Sequence, residues 1–568
     1  MLTPDRQVGL VFNGAIYNFL PLRAELERLG YEFQSRTDTE VILNGYLAWG
    51  AEELIGRLRG MFAFCIWDER QQVLHLVRDR LGVKPLYYCQ HGEELAFAST
   101  AAAVRHFPYS GDIDELAVLE YLEFGFITEE RSIYENVRKV PPAHWLEFRN
   151  GQIESRQYWR HTTPSRGAAP KFAEAVEETE RLLLEAVELR LQGDVPVGSM
   201  LSGGVDSGLV CWAVAKLGGD ITAFTIATPG DPGDESADAI ATARQIGIRH
   251  KVLTMSAGDF PGIDVMVAAY GEPFACSSAL GVLRVAKAVA PEATILLTGD
   301  GGDDVFLGYP IHRRLLLSQS IARGVPSPGA SALQAVSKAL PRRGLLKRAA
   351  NFLDYASGGL GALTSIHDGL PYYWKHNLLG ERIRGAQLPQ RQIERSVESA
   401  RNALAEWLEY IYQNQFVGEY MTKVDGGTMY YAMESRSPFL DQVMWEYAGA
   451  LPYSLRLRQG ALKAVLREIA RRRIGERVAT GRKRGFTIPV DRWIPGRWQA
   501  MVREAFSDSV LAREGLVRAD AVLRQLDAAV SAQRAPHQLW YLFLLECWRR
   551  RSVYGEIGLA ASPAVSQA

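Results

Sequence analysis

The stretch "MLSGGVDSG", Met200 to Gly208, decides the reading of this chain. The apolar run "VPVGSML" forms a buried strand, breaks at Ser-Gly-Gly, and resumes as the helix "GLVCWAVAKLG". Glycines let backbone approach an anion closely, and the N–H groups of the turn and helix start then face it. Ser202 and Ser207 add hydroxyl donors. Asp206 is anomalous in a purely anionic site and makes sense if Mg²⁺ bridges it to phosphate. The plain alternative, a glycine-rich strand-to-helix turn, leaves two serines and an aspartate on one loop unexplained. The loop is not a Walker A sequence, because GxxxxGK[ST] is absent.

Outward from this loop, strands and helices alternate. "ITAFTIA", "HKVLTM" and "TILLTG" read as strands, with helices "ADAIATARQIG" and "LRVAKAVA" between them. That alternation predicts a parallel sheet covered on both faces. The last strand runs into "LLTGDGGDDVFLGY", Leu296 to Tyr309, at the same carboxyl edge of the sheet. Its three aspartates repel one another unless cations are present, and Asp303 is the best second Mg²⁺ ligand. Farther on come "KVDGGTMYYAMESRSPFLD" (Lys423 to Asp441), "GALKAVLREIA" and the basic turn "GRKRGFTIP" (Gly481 to Pro489). The second of these places Lys463 and Arg467 at i, i+4 on one helix face, by itself a solvated basic face.

Residues 8–105 are β-rich, with "VGLVFN", "GMFAFCIWD", "QVLHLVRD", "PLYYCQ" and "ELAFAS" as strands and one helix from about Leu20 to Gly30. Two packed sheets with flanking helices are expected. Asn13-Gly14 reads as a strand-end turn. "RHTTPSRGAAPK" (Arg160 to Lys171) ends a linker. "PRRGLLKR" (Pro341 to Arg348) reads as a solvated loop, and the tail "LAASPAVSQA" as frayed.

The chain has 568 residues, 47% apolar and 23% charged, with 64 basic and 65 acidic side chains. This balance gives no support to a nucleic-acid or membrane-surface binder. Five scattered cysteines without a CxxC pair fit reduced thiols in a cytoplasm. Cys65, in "MFAFCIWD", reads as a buried core thiol.

The ordered set SGGVDS, GDGGDD–F–GY, ESRSPFLD, G–LK–LR and RKRGF–P resembles the class B asparagine synthetases over nearly the whole chain. The resemblance implies an α+β N-terminal-nucleophile glutaminase-like sandwich over 1–160. An α/β pyrophosphatase-loop domain, adenine nucleotide alpha hydrolase-like, would follow over 172–555, with a flexible tail over 556–568. It implies adenylation of aspartate by ATP, then displacement of AMP by ammonia. Ser202, Gly203, Gly204 and Ser207 would hold pyrophosphate, with Asp206 and Asp303 on Mg²⁺. Leu201, Ile226, Thr298 and Gly299 would line the ATP site. Lys463 would neutralise charge on the phosphates, and Asp300 and Glu434 would orient the acid or accept a proton.

"NGAIYN", "SRTDTEVIL" and "RDRLGVKPLYY" are similar to the family's glutaminase motifs. They carry glutamine contacts onto Asn13, Gly14 and Asp38, with Asn13 as oxyanion donor. The implied partners are small molecules (aspartate, ATP, ammonia or glutamine), with a homodimer left open and no nucleic acid or membrane. Ala15, Cys276 and Gly426 depart from the family, where Glu, Asp and Arg are common. The family's nucleophilic N-terminal cysteine has no counterpart in "MLTPDRQVGLVFN", so the glutaminase domain as written is expected to be incomplete, either because the sequence begins at an internal methionine or because the domain is truly shortened, with nitrogen taken from free ammonia. The alternative is an amide ligase of secondary metabolism, like the β-lactam synthetases and lasso-peptide cyclases. A non-catalytic scaffold would predict a degraded phosphate loop, and Ser202 to Ser207 is intact.

Overall fold

β1 (Val8–Ile16) pairs antiparallel with β2 (Gly60–Asp68), Val8 opposite Asp68 and Ile16 opposite Gly60, in the computed structural model of the chain. The structure describes residues 1–129, 131–164, 169–230, 233–256, 259–324, 327–341, 344–357, 369–388, 403–481 and 488–559. Most of the "GRKRGFTIP" turn, part of "PRRGLLKR" and nearly all of the tail lie outside these residues. β3 (Val73–Arg78), β4 (Tyr87–His91), β5 (Glu94–Ala98), β6 (Val137–Lys139), β7 (His144–Arg149) and β8 (Gln152–Gln157) complete two antiparallel sheets. Their strand orders are β1-β2-β3-β7-β8 and β5-β4-β6. Period-two alternation sorts the larger sheet's side chains onto two faces. Leu10, Phe62 and Phe64 meet Leu26, Val41 and Ile42 of the helices, while Ala63, Cys65 and Leu76 face the smaller sheet.

Two expectations are corrected here. Asn13 and Gly14 do not form a turn. They continue β1, opposite Ala63 and Phe62. Gly14 has φ 146°, and a Cβ there would lie 2.1 Å from the Met61 carbonyl oxygen. The glycine serves a close cross-strand approach. The first domain also holds a second long helix, Asp38–Arg57, read from the sequence as no element. Its stretch lacks a clean helical stripe because both its flanks are apolar. A break at Gly50 (φ 75°) divides it.

In the second half, β9 (Val197–Met200), β10 (Thr222–Ala227), β11 (Arg249–Thr254), β12 (Ile295–Leu297) and β13 (Glu434–Arg436) form one parallel sheet. The order is β11-β10-β9-β12-β13. Helices Phe172–Arg190, Val205–Lys216, Ser236–Ile246 and Ala279–Val289 flank it in sequence. From β9 the chain moves outward to one side through β10 and β11, then crosses to β12 on the other. The loops after β9 and β12 therefore part at a topological switch point, where such sheets bind ligands. β13 is supplied by "ESRSPFLD" and was not expected as a strand, because its three residues are too few to show a period.

The two halves share buried surface. Tyr121 and Leu122 of helix Glu115–Phe124 enter the same apolar core as Trp540 and Leu544 of helix His537–Tyr554. The Tyr121 hydroxyl donates to the Tyr541 carbonyl at 2.8 Å. Among the described residues no helix is long and apolar enough to cross a membrane.

Candidate functional site

The loop after β9 is held by its own hydroxyls. Ser207 Oγ accepts from the Ser202 N–H at 3.0 Å and lies 2.9 Å from Ser202 Oγ, which accepts from the Gly204 N–H at 3.1 Å. Gly204 caps the helix Val205–Lys216, so the loop delivers helix-start N–H groups to the sheet edge. The loop after β12 closes against it. A Cβ on Gly299 would meet Asp206 Cβ at 2.8 Å, and one on Gly302 would meet Asp206 Oδ1 at 2.7 Å. The glycines of the second motif thus let its backbone lie on the aspartate of the first.

Lys463 joins the two loops. Its Nζ binds the Asp206 carboxylate and lies 2.6 Å from Asp303 Oδ1. Sequence spacing put Lys463 on a helix face with Arg467. The structure corrects this, since Lys463 is the cap before the helix Ala464–Arg473, in the left-handed region at φ 53°, and only 5% exposed. A non-glycine residue in that conformation stores strain that surrounding contacts must hold. Burial pushes the Lys463 ammonium down, but Asp206 and Asp303 outweigh it and raise its pKa above the ordinary lysine value. Arg467 points elsewhere and donates to the Leu462, Ala479 and Gly481 carbonyls, fixing one wall of the site.

These residues open into a cleft of about 1050 Å³ lined by Ser202, Gly204, Asp206, Asp303 and Lys463. Tyr309, Arg313 and Thr480 also line it. Sequence reasoning gave them no role, although "LGY" after the acidic loop was a signal for Tyr309. Four residues that the resemblance placed at the nucleotide site lie outside this lining. Leu201 is 1% exposed, its N–H donating to Phe224 and its carbonyl accepting from Thr225 Oγ1. Ile226 is half-buried in β10, the Thr298 N–H donates to the Arg436 carbonyl, and Gly299 packs on Asp206.

In the first half of the chain, the Asn13 side-chain amide donates to Ser99 Oγ at 3.2 Å. Asp38 Oδ2 accepts from the Ile16 N–H at 2.9 Å, which ties the Asp38–Arg57 helix start to the end of β1. Burial raises the Asp38 carboxyl pKa. Asn13 and Ser99 line a cavity of about 460 Å³ whose far wall includes Asp425 and Gly426. Asp425 and Val83 also line a small cavity of about 30 Å³, which reaches Asp300, Ser435 and Ser437. Between these cavities the buried Lys84 ammonium donates to Asp425 at 2.8 Å. Burial alone would lower the Lys84 pKa, and Asp425 and Glu434 raise it. Glu434 itself accepts from Arg436 Nε at 2.7 Å.

The junction of the halves is clamped by charge. Arg59 donates to both Asp441 oxygens, at 2.9 Å and 2.7 Å, and Arg190 donates to Asp441 Oδ2 at 3.0 Å. Burial would raise the Asp441 carboxyl pKa, but Arg190 and Arg59 hold it below its ordinary value.

Two of the departures take physical form. A Cβ on Gly426 would meet the Tyr270 ring at 2.7 Å, so a longer side chain has no room. The Cys276 thiol is pushed up to about 12 by burial and by the nearby Glu419. Cys65 is buried, as expected, with its thiol pushed up to about 12 by burial.

An antiparallel sandwich joined to a parallel sheet, whose two glycine loops close on a lysine-bridged pair of aspartates, marks a chain of two unlike halves. The comparisons agree. The asparagine synthase family is matched over residues 178–550, and the glutamine amidotransferase domain over residues 1–159. The chain belongs to the asparagine synthase family. It is 28% identical over 557 residues to asparagine synthetase [glutamine-hydrolyzing] 1 of Bacillus subtilis, covering 96% of this chain and 85% of that protein. A putative asparagine synthetase [glutamine-hydrolyzing] 2 of Methanocaldococcus jannaschii is 35% identical over 309 residues, 53% of this chain and 59% of that one. Amidase chry2 of Gibberella zeae is 27% identical over 578 residues, 93% of this chain and 84% of that one.

Proposed function

We propose that this chain amidates aspartate in two ATP-dependent steps. The aspartate β-carboxylate attacks the α-phosphorus of ATP, the bond to the β-phosphate breaks, and β-aspartyl-AMP and pyrophosphate form. Ammonia then attacks the acyl carbon, AMP leaves, and a proton is lost from the new amide nitrogen. The observation that carries this reading is the Lys463 ammonium, held between the two glycine loops at the switch point of the sheet.

In this reading Ser202, Gly203, Gly204 and Ser207 hold the pyrophosphate. Lys463 swings from carboxylate to phosphate oxygens as charge builds there. Asp206 and Asp303 suit Mg²⁺, which takes one or two carboxylates and fills its shell with phosphate oxygens and water. Bound there, Mg²⁺ would neutralise phosphate charge. Asp300 and Glu434, at and beside the small cavity between the halves, are assigned to orienting the acid or taking the proton from ammonia.

Asn13, Gly14 and Asp38 are assigned to a glutamine-type site. For these 568 residues we assign free ammonia as the nitrogen donor. Cys65, Cys89, Cys211 and Cys547 are buried, and Cys276 lies in the other half of the chain. Pyrophosphate release with Mg-ATP, measured across candidate acids with ammonia or glutamine, tests the proposal. Aspartate with ammonia is expected to release pyrophosphate and yield asparagine, and aspartate inert under those conditions would reject it.

A further inference from the structure

A second cavity, of about 480 Å³, lies apart from the phosphate cleft. It is walled by the linker after β8, helix Ala403–Gln413, helix Gln442–Ala450 and the short helix Tyr453–Arg456. Two features distinguish it from a packing gap. The first is buried charge. Arg80 and Arg456 both line it, only 6% and 2% exposed, and neither forms an ion pair among the described residues. Buried charges are normally paired, because an unpaired one forfeits its hydration.

The Arg456 terminal nitrogens donate to the Val305 carbonyl at 2.9 Å and the Gly449 carbonyl at 3.4 Å, and those of Arg80 donate to the Leu58 and Gly56 carbonyls at 2.7 and 3.2 Å. Each guanidinium retains an Nε–H without an acceptor among the described residues. The acidic residues that line the cavity do not balance them. Glu129 is committed to Arg78 at 2.6 Å, and Glu409 sits exposed at the rim.

The second feature is a continuous aromatic wall. Trp159 and His161 lie 4.9 Å apart, His161 and Tyr412 4.7 Å, and Tyr412 and Trp445 5.3 Å. His161 adds direction. The Trp445 Nε1–H donates to its Nδ1 at 3.1 Å, and burial pulls its pKa down to about 4. The ring is therefore neutral, with its proton on Nε2, a third donor beside the two arginines.

We propose that this cavity is a binding site for a small aromatic carboxylate, whose ring lies against the Trp159–His161–Tyr412–Trp445 wall and whose anion pairs with Arg80 and Arg456. The volume suits one such ligand. The site is tied to the phosphate cleft through one short helix, Gly302–Val305. Arg456 holds its Val305 carbonyl and Tyr412 its Asp304 carbonyl, at 2.9 and 3.2 Å, and Asp303 lies on the same turn.

The test is calorimetric titration of the full chain with indole-3-acetate, against indole, which lacks the anion, and acetate, which lacks the ring. Pyrophosphate fills the phosphate cleft throughout. Saturable binding of indole-3-acetate is expected, with each control about tenfold or more weaker, the scale of one charge-assisted hydrogen bond. Arg456→Met should weaken it by at least about tenfold. Ala405→Trp, which fills the cavity and leaves both arginines in place, should abolish it while circular dichroism shows an intact fold. If Arg456→Met does not fold, Ala405→Trp decides. No saturable binding at millimolar ligand, equal binding of indole, or unchanged binding in Ala405→Trp would overturn the proposal.

Discussion

Replacing Lys463 by Met keeps the apolar stem and removes the charge. Its ammonium lies 2.6 Å from Asp303 and is bonded to Asp206, whose side chains are only 13% and 17% exposed. Without it, two half-buried carboxylates face a cleft that must admit a triphosphate. Loss of one preorganised charge aimed at a developing anion costs about 3–4 kcal/mol of transition-state stabilisation, or roughly 10²–10³ in rate. The effect on stability works partly the other way. Breaking a buried pair costs up to about 3–5 kcal/mol, but these carboxylates keep some access to water and cations, so the loss should fall below that range. The left-handed backbone at φ 53° is equally strained with Met.

The assay is aspartate-dependent pyrophosphate release at saturating Mg-ATP, with near-ultraviolet circular dichroism to show that the variant is folded. The account predicts a fall in kcat of at least about a hundredfold with the fold retained. A folded Lys463→Met variant within threefold of the parent would refute the role. Because its pKa is raised, Lys463 stays charged well past neutrality, so no alkaline loss of activity below its ordinary value of 10.5 should trace to this residue.

Asp206→Asn should abolish pyrophosphate release and its Mg²⁺ dependence, and retained activity would reject its metal role. Asp441→Asn leaves the buried Arg190 with a weakened partner, while the partly exposed Arg59 keeps Glu185, and should cost about 3 kcal/mol in denaturant unfolding. The native Asp441 pKa is depressed, so its contribution is whole above the unfolded value near 3.8 and is lost as pH falls from there through the native value. Acid melts of the parent should therefore be steeper in that window than those of the variant. Gly14→Ala places a Cβ against the Met61 carbonyl at a φ of 146° and should lower the melting temperature of the first domain by several degrees, whereas Gly92→Ala, with nothing within 4 Å, should cost less.

The parallel sheet was legible because β9, β10 and β12 are short apolar runs, the first two each followed by a helix and the last opening into a glycine loop. The glycine loops were legible for the same reason. β13 was not, since nothing local in Glu434–Arg436 marks a strand, and only its pairing with β12 makes it one. The Asp38–Arg57 helix escaped because burial on both sides erased its period. Spacing alone assigned Lys463 to a helix face. What sets its position is the left-handed cap that aims it at Asp206 and Asp303, a backbone state with no residue signature. The Arg80–Arg456 cavity was invisible because its walls come from stretches of chain as far apart as Arg80, Trp159, Val305 and Arg456.

The central claim is that the acid is activated as an acyl-adenylate. Aspartate labelled with ¹⁸O in its β-carboxylate, turned over with Mg-ATP and ammonia, tests it by mass spectrometry of the products. The account predicts one labelled oxygen in AMP and none in pyrophosphate. Label in inorganic phosphate with formation of ADP, or AMP carrying no label, would contradict it.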